Sequence, residues 1–223
     1  MKITLKDINK VYKSRGGDVA ALSNINLDLS GKREVVISGS TGSGKTTLLY
    51  LIGLINRDYT GEYMLDDMDM RRLSGRKLSR FRNKTFGYIF QEYALIEEDT
   101  CYENVLLPLL YSGKKIKNKR QKVEDILGKV GLSEKVNVKV RELSGGQRQR
   151  VAIARALVHE PSIILADEMT SALDGKTKKI IMDVLYDYVD SDESKMLIMV
   201  SHEPEAIKRD GQLHVVLERG ELV

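Results

Sequence analysis

Polar and apolar residues change their period several times along this chain, and each change predicts an element. The opening alternates: Ile3-Thr-Leu-Lys6 and then Leu22 to Leu29 place side chains on alternate faces, the pattern of antiparallel strands with one face buried. Glu34-Val-Val-Ile-Ser38 is a short continuous apolar run and predicts a buried strand, and Thr46-Thr-Leu-Leu-Tyr-Leu-Ile-Gly53 predicts a helix. Gly61-Glu-Tyr-Met-Leu-Asp-Asp67 predicts a turn and strand, and Phe86-Gly-Tyr-Ile-Phe90 a further strand. From about Glu92 to His159 the period becomes helical. Val105, Leu106, Leu109 and Leu110 share a helical face, with Pro108 unsettling its early turns. Val123, Ile126, Leu127 and Val130 form a second stripe, which Gly131 ends. Ser162-Ile-Ile-Leu-Ala-Asp167 and Met196-Leu-Ile-Met-Val-Ser201 are apolar throughout, as expected of parallel strands buried on both faces. Lys176 to Val189 reads as the crossover helix between them, and Gly211 to Val223 as a small hairpin. The pattern as a whole predicts an α/β core interrupted by a helical insertion.

Between the strand at 34–38 and the helix after it stands Gly39-Ser-Thr-Gly-Ser-Gly-Lys-Thr46, a G-x-x-x-x-G-K-[ST] sequence in the strand–loop–helix context that makes it a phosphate site. Gly39, Gly42 and Gly44 let the backbone turn N–H groups inward, where side chains would meet a phosphate; the helix start adds unpaired donors and a positive dipole. Ser40, Thr41 and Ser43 fill the rest of the loop. Lys45 supplies a full charge for the β and γ phosphates, Thr46 a hydroxyl for Mg²⁺, and Thr47 continues the phosphate-binding face.

Composition narrows the class without adding chemistry. The 223 residues suffice for one compact domain, and 42 % apolar with 30 % charged residues is an ordinary globular composition. No apolar run approaches the roughly 20 residues of a membrane span, and the start has no signal-peptide pattern. The single Cys101 excludes an internal disulfide and suits a reducing cytoplasm. The net charge of +4 is too small to argue for nucleic acid. Two basic clusters, Arg71 to Lys84 and Lys114 to Lys122, read as solvated faces, or as surfaces for anionic lipid or an acidic partner.

Three further features carry chemistry. Asp167-Glu168 closes an apolar strand, a costly place for two carboxylates unless a cation or a reaction needs them. Asp167 is the expected Mg²⁺ partner, and Glu168 is placed to orient or deprotonate the attacking water; helix N-capping by either acid is the competing reading. His202 follows the next apolar strand and so emerges at a carboxyl edge, where it can reach a γ-phosphate. His159 and His214 lack such company and read as helix-end and surface residues. Leu143-Ser-Gly-Gly-Gln147 has the S-x-x-Q spacing of a capping box, so a helix begins there. Two adjacent glycines weaken its first turn. They make sense if another molecule approaches the backbone closely.

Together these residues resemble the nucleotide-binding subunit of ATP-binding cassette (ABC) transporters, over essentially the whole chain. The phosphate loop and Ser144, Gly145, Gly146 and Gln147 match the family's two nucleotide motifs. Gln91 looks like its glutamine loop, Ile163 to Glu168 like its Walker B strand, Ser171-Ala-Leu-Asp174 like its D-loop, and His202 like its switch histidine. Tyr12, with Val19 across the intervening loop, sits where the family stacks adenine. The resemblance implies a P-loop NTPase (RecA-like) core at 1–91 and 160–223 with an antiparallel β subdomain, and an inserted α-helical subdomain at 92–159. It implies an ATPase using ATP and Mg²⁺. Glu168, His202 and Gln91 would be catalytic; Thr46, Gln91 and Asp167 would hold the metal. Each ATP would lie between the phosphate loop of one copy and Ser144 to Gly146 of a second, with Asp174 coupling the two sites. The expected partners are that second copy and an integral membrane permease, without nucleic acid, at the cytoplasmic face of the membrane.

Within the family, Phe86 to Leu95 and Glu103 to Tyr111 are similar to the macrolide- and lipoprotein-exporting branch, which drives mechanical motion of a permease. Three departures stand out. Ser171-Ala precedes Leu173-Asp174 where that branch has Gly-Asn; this form is commoner in importer subunits. Ile96-Glu-Glu-Asp99 replaces an apolar stretch and suggests contact with a basic partner surface. Met169 stands where proline usually follows the glutamate. Two alternatives stay open: an ATPase gating an extracytoplasmic signalling partner, and an importer subunit. A nucleic-acid ATPase on the same cassette is disfavoured, because no coiled coil, zinc module or second cassette fits in the chain.

Overall fold

The structure is a computed structural model and describes residues 1–14, 16–113, 115–170, 173–202 and 209–223. In chain order the elements are β1 (Ile3–Tyr12), β2 (Val19–Asp28), β3 (Glu34–Ser38), α1 (Lys45–Ile52), β4 (Thr60–Leu65), β5 (Met68–Asp69), α2 (Gly75–Thr85) and β6 (Phe86–Ile89). They continue as α3 (Cys101–Tyr111), α4 (Lys119–Lys129), α5 (Gly145–Leu157), β7 (Ile163–Asp167), α6 (Gly175–Asp190), β8 (Met196–Val200), β9 (Leu213–Glu218) and β10 (Glu221–Leu222). The chain is divided into two compact units, one of Met1–Leu78 with Met196–Val223 and one of Ser79–Lys195.

The first unit holds two kinds of strand. β2, β1, β4 and β5 form an antiparallel sheet in that order, the alternating pattern of the opening residues realised as one buried face. Ile3, Leu5, Ile8, Leu22 and Ile25 are buried, while Thr4, Lys6 and Asn24 are not. β3 lies between β8 and β9, parallel to both. β3 and β8 are buried along almost their whole length, which their unbroken apolar runs require. β9 and β10 form the expected terminal hairpin, turned by Arg219 and Gly220 at positive φ. The parallel pairing of β9 with β3 was not legible, because β9 alternates like an antiparallel strand.

The second unit pairs β6 with β7 in parallel and surrounds them with helix. α5 packs against both α3 and α4 and against β6. α3 runs through Pro108, with Val105 and Leu109 buried; packing of that face outweighs the lost backbone donor. Its start is fixed by a capping box in which Thr100 accepts from Glu103 N and Glu103 accepts from Thr100 N, a T-x-x-E signal readable from the sequence. α2 has no such signal. Leu78 and Phe81 are its only large apolar residues, and the rest of its sequence is cationic and polar.

Candidate functional site: a phosphate loop and a signature helix

The phosphate loop occupies the turn from β3 into α1. Gly39, Gly42 and Gly44 all have positive φ (145°, 78° and 104°). A Cβ on Gly39 would lie 2.0 Å from the Leu217 carbonyl oxygen, and one on Gly44 2.3 Å from that of Ala21. These two glycines are therefore demanded by the chain's own backbone as much as by a phosphate. Gly42 faces open space and owes its identity to φ alone. Lys45 is buried, and its ammonium folds back to donate to the carbonyls of Gly39 (2.9 Å) and Ser40 (2.8 Å). Ser43 Oγ is buried with no hydrogen-bond partner, a polar atom that a phosphate oxygen would satisfy. Thr41 and Ser40 are exposed, Thr46 and Thr47 half-buried in the first turn of α1, and no side chain caps that helix.

Beside the loop, Tyr12 and Val19 are cross-strand partners at the ends of β1 and β2, and both are exposed. Tyr12 Oη lies 3.4 Å from Thr47 Oγ1 and accepts from Asn56 Nδ2 at 2.8 Å. The buried Lys10 ammonium, paired with Asp58, sits 4.6 Å from the Tyr12 ring centroid. An exposed aromatic with fixed hydroxyl and one face held by a cation is a ready platform for a flat ring. His202 follows β8 in the same unit and is exposed. His214 is exposed, as expected of a surface residue, and also hydrogen-bonds through Nε2 to Ser38 Oγ at 2.7 Å, at the root of the phosphate loop.

In the second unit, Asp167 is 1 % exposed at the end of β7, and Glu168 beside it is half-buried with φ 45°. A left-handed backbone is uncommon for glutamate, and Glu160 in the same unit shares it at φ 57°. Met169 after Glu168 is buried. Asp174 is the N-cap of α6, accepting from Thr177 N and Oγ1, bonds that hold its carboxyl below the usual range. Ser171 and Ala172 of the same motif lie outside the described residues. Gln91 is exposed at the end of β6. His159, expected at a helix end, follows α5 and is enclosed: Nε2 meets the Phe86 carbonyl at 3.1 Å, and burial pushes its pKa down.

The signature segment starts α5 as its spacing predicts. Ser144 Oγ accepts from Gln147 N, and Gln147 Oε1 accepts from Ser144 N. Ser144 and Gly145 are exposed. A Cβ on Gly145 would meet only the Tyr93 hydroxyl at 3.4 Å, and one on Gly146 only Leu173 at 3.7 Å, both ordinary contacts. Among the described residues nothing requires those glycines.

The acidic run after Gln91 is neutralised within the chain. Arg141 reaches both oxygens of Glu98 at 2.8 and 2.9 Å, Lys139 lies 3.5 Å from Glu98, and Arg148 lies 3.3 Å from Glu97. Both carboxylates stay largely exposed within these pairs, so the expected contact of this run with a basic partner surface is left as an expectation.

A metal accompanying ATP needs hard oxygen donors. The described residues contain no cluster of three or more His, Cys, Asp or Glu able to cage one. The first unit offers the Thr46 hydroxyl; the second, taken by itself, offers the Gln91 amide and the buried Asp167 carboxylate. A sparse oxygen set fits Mg²⁺, which keeps waters and phosphate oxygens in its shell.

Comparison with known proteins joins these parts. The ABC transporter family profile matches residues 22–171. The chain is 38 % identical to the lipoprotein-releasing system ATP-binding protein LolD 1 of Rhodopirellula baltica, over 90 % of this chain and 87 % of that one. It is 38 % identical to the macrolide export ATP-binding/permease protein MacB of Hyphomonas neptunium, over 93 % of this chain but 32 % of that longer one. Among solved structures it superposes on the dimeric post-hydrolysis state of the ATP-binding cassette MJ0796 bound to ADP and Pi, with a TM-score of 0.91 and 36 % identity, covering 99 % of this chain and 96 % of that one. A phosphate loop, a buried acidic strand end and a capped Ser-Gly-Gly helix start, in a fold shared over nearly its full length with these cassettes, identify the chain as a member of the ABC transporter ATP-binding family: an ATPase working with ATP and Mg²⁺.

Proposed function

We propose that residues 1–223 act as one ATPase cassette that works in pairs and drives a separate membrane permease of the macrolide- and lipoprotein-exporting kind. Each ATP is held by Gly39 to Thr47 of one copy and closed over by Ser144, Gly145 and Gly146 of the other. The observation that carries this reading is the signature corner: it is exposed, and its glycines have room for side chains within their own chain. Their smallness therefore serves something outside it. The dimeric state of MJ0796 bound to ADP and Pi supports action in pairs.

Within that pair, Lys45 and the loop N–H groups bind the β and γ phosphates, and Tyr12 with Val19 supports the adenine. Bound Mg²⁺ would neutralise phosphate charge, with Thr46, Asp167 and Gln91 as its holders. Glu168 orients the attacking water and accepts its proton, and His202 faces the γ-phosphate from the end of β8. Asp174 lies at the junction between copies. The permease reading is supported by MacB, whose name joins ATP-binding and permease functions. A concave surface lined by Tyr88, Phe90, Ala94, Pro108 and Arg155, with Tyr88 and Phe90 stacked at 5.8 Å, offers an aromatic seat for a helix of that partner. Among the described residues no helix is long and apolar enough to cross a membrane, so attachment at the cytoplasmic face would come through the permease.

The test uses the Glu168→Gln chain, which should bind Mg-ATP and form a stable dimer by light scattering. Adding Gly145→Ala should leave ATP binding within about twofold but remove the dimer, because a methyl group enters the partner's nucleotide. A Glu168→Gln/Gly145→Ala chain that dimerises as tightly as Glu168→Gln alone would overturn the head-to-tail arrangement.

A further inference from the structure

The turn after Gln91 is strained, and what holds it is the signature helix. Tyr93 and Ala94 are consecutive non-glycine residues with φ of 57° and 49°, a conformation that L-residues avoid. Arg155, in the last turn of α5, donates to both of their carbonyls, with Nη2 2.7 Å from that of Tyr93. Seven residues earlier, two turns along the same stripe of α5, Arg148 reaches Glu97. Arg148 also donates to the carbonyls of Leu143 (3.2 Å) and Arg141 (3.0 Å), so it spans the signature, the acidic run and the turn before α5. Backbone bonds continue the seam: Arg141 N to the Glu97 carbonyl and Val140 N to that of Asp99. Asn104, fully buried, closes its far side by bonding both the N–H and the carbonyl of Ile96.

We infer that Arg148 and Arg155 are positioning residues for ATP hydrolysis: they clamp residues 93–98 onto α5, so that the loop behind Gln91 and the Ser144 cap move as one piece. The inference rests on the reading of Gln91 and Ser144 given above. Gln91 serves the nucleotide of its own chain, and Ser144 that of the partner. A rigid link between them makes each site of the pair responsive to the other. Glu97 is the counter-charge of Arg148 in this clamp, and Glu98 is held beside it by Arg141 and Lys139.

The variants are Glu97→Lys, Arg148→Glu and the two combined, in the full chain. Each single variant should bind nucleotide as the parent does but lower kcat about two- to five-fold, the range for a partly exposed ion pair. Cooperativity in ATP should fall with it, the Hill coefficient approaching about 1. The charge-swapped double should exceed Arg148→Glu in kcat without reaching the parent, because the ion pair is restored while a carboxylate at position 148 cannot donate to the Leu143 and Arg141 carbonyls. A double no better than the worse single would overturn the pairing.

Hydrogen exchange of the nucleotide-free chain tests the clamp without any dimer. Arg155→Gln should speed exchange at 92–96 about tenfold or more, and the amides of 144–148 should follow. If 92–96 loosens while 144–148 is unchanged, the clamp is wrong. Arg155→Lys, which keeps the charge but loses the fork, serves should the glutamine variant fail to fold. Should Glu168→Gln never dimerise with ATP, the two-copy mechanism falls, and exchange still judges the clamp alone.

Discussion

At the scale of single residues, two glycines of one loop are held by different forces, and substitution separates them. Gly44 has φ 104° and lies against the Ala21 carbonyl, so Gly44→Ala meets a backbone atom that cannot move aside. Gly42 has φ 78° but open space, so Gly42→Ala meets only torsional cost. Denaturant unfolding should show about 1–2 kcal/mol lost for Gly42→Ala and about 3 kcal/mol or more for Gly44→Ala. Equal losses would mean that the close packing at Gly44 relaxes freely. The motif gives no hint of this ranking, because every glycine in it has the same letter; the distinction comes from Leu217 and Ala21, both far away in sequence.

Among the elements, the helices differ in how their ends are secured. α3 and α5 both begin with a capping box, Thr100 with Glu103 and Ser144 with Gln147, whereas α1 begins at Gly44 with no side-chain cap. Each box satisfies two backbone donors, at Thr100 and Glu103 in α3 and at Ser144 and Gln147 in α5, and engages neither Gly145 nor Gly146. Thr100→Ala should destabilise the chain by about 1 kcal/mol in thermal or chemical unfolding. A change below about 0.3 kcal/mol would show that the box is redundant with the packing of α3. The buried strands were legible from their unbroken apolar runs. α2 was not, because a nearly all-polar helix has no stripe to read, and β9 was misleading because one half-exposed strand can pair either way.

For the whole molecule, stability should depend on pH through His159, which no motif singled out. Enclosure after α5 depresses its pKa below 6.5, and its Nδ1 is buried without a partner. The folded chain therefore binds fewer protons than the unfolded one. The neutral ring's full stability is present above pH 6.5 and is lost as pH falls toward the depressed folded value. Unfolding free energy measured between pH 7.5 and about 5.5 should slope downward with acid, and His159→Phe should flatten that slope. An unchanged slope in the variant would assign the proton to another group. The sequence by itself determined the local features: where the glycine-rich loop turns into α1, where the acidic strand ends, where the signature helix starts. Those depend on residue type and on spacings within one turn or strand, which lie in the chain's own order. Only the tertiary structure decided which glycines are fixed by packing, that Glu97 and Glu98 are paired internally, and that α5 holds the turn after Gln91. Those depend on atoms brought together across tens of residues, by burial that no local period records.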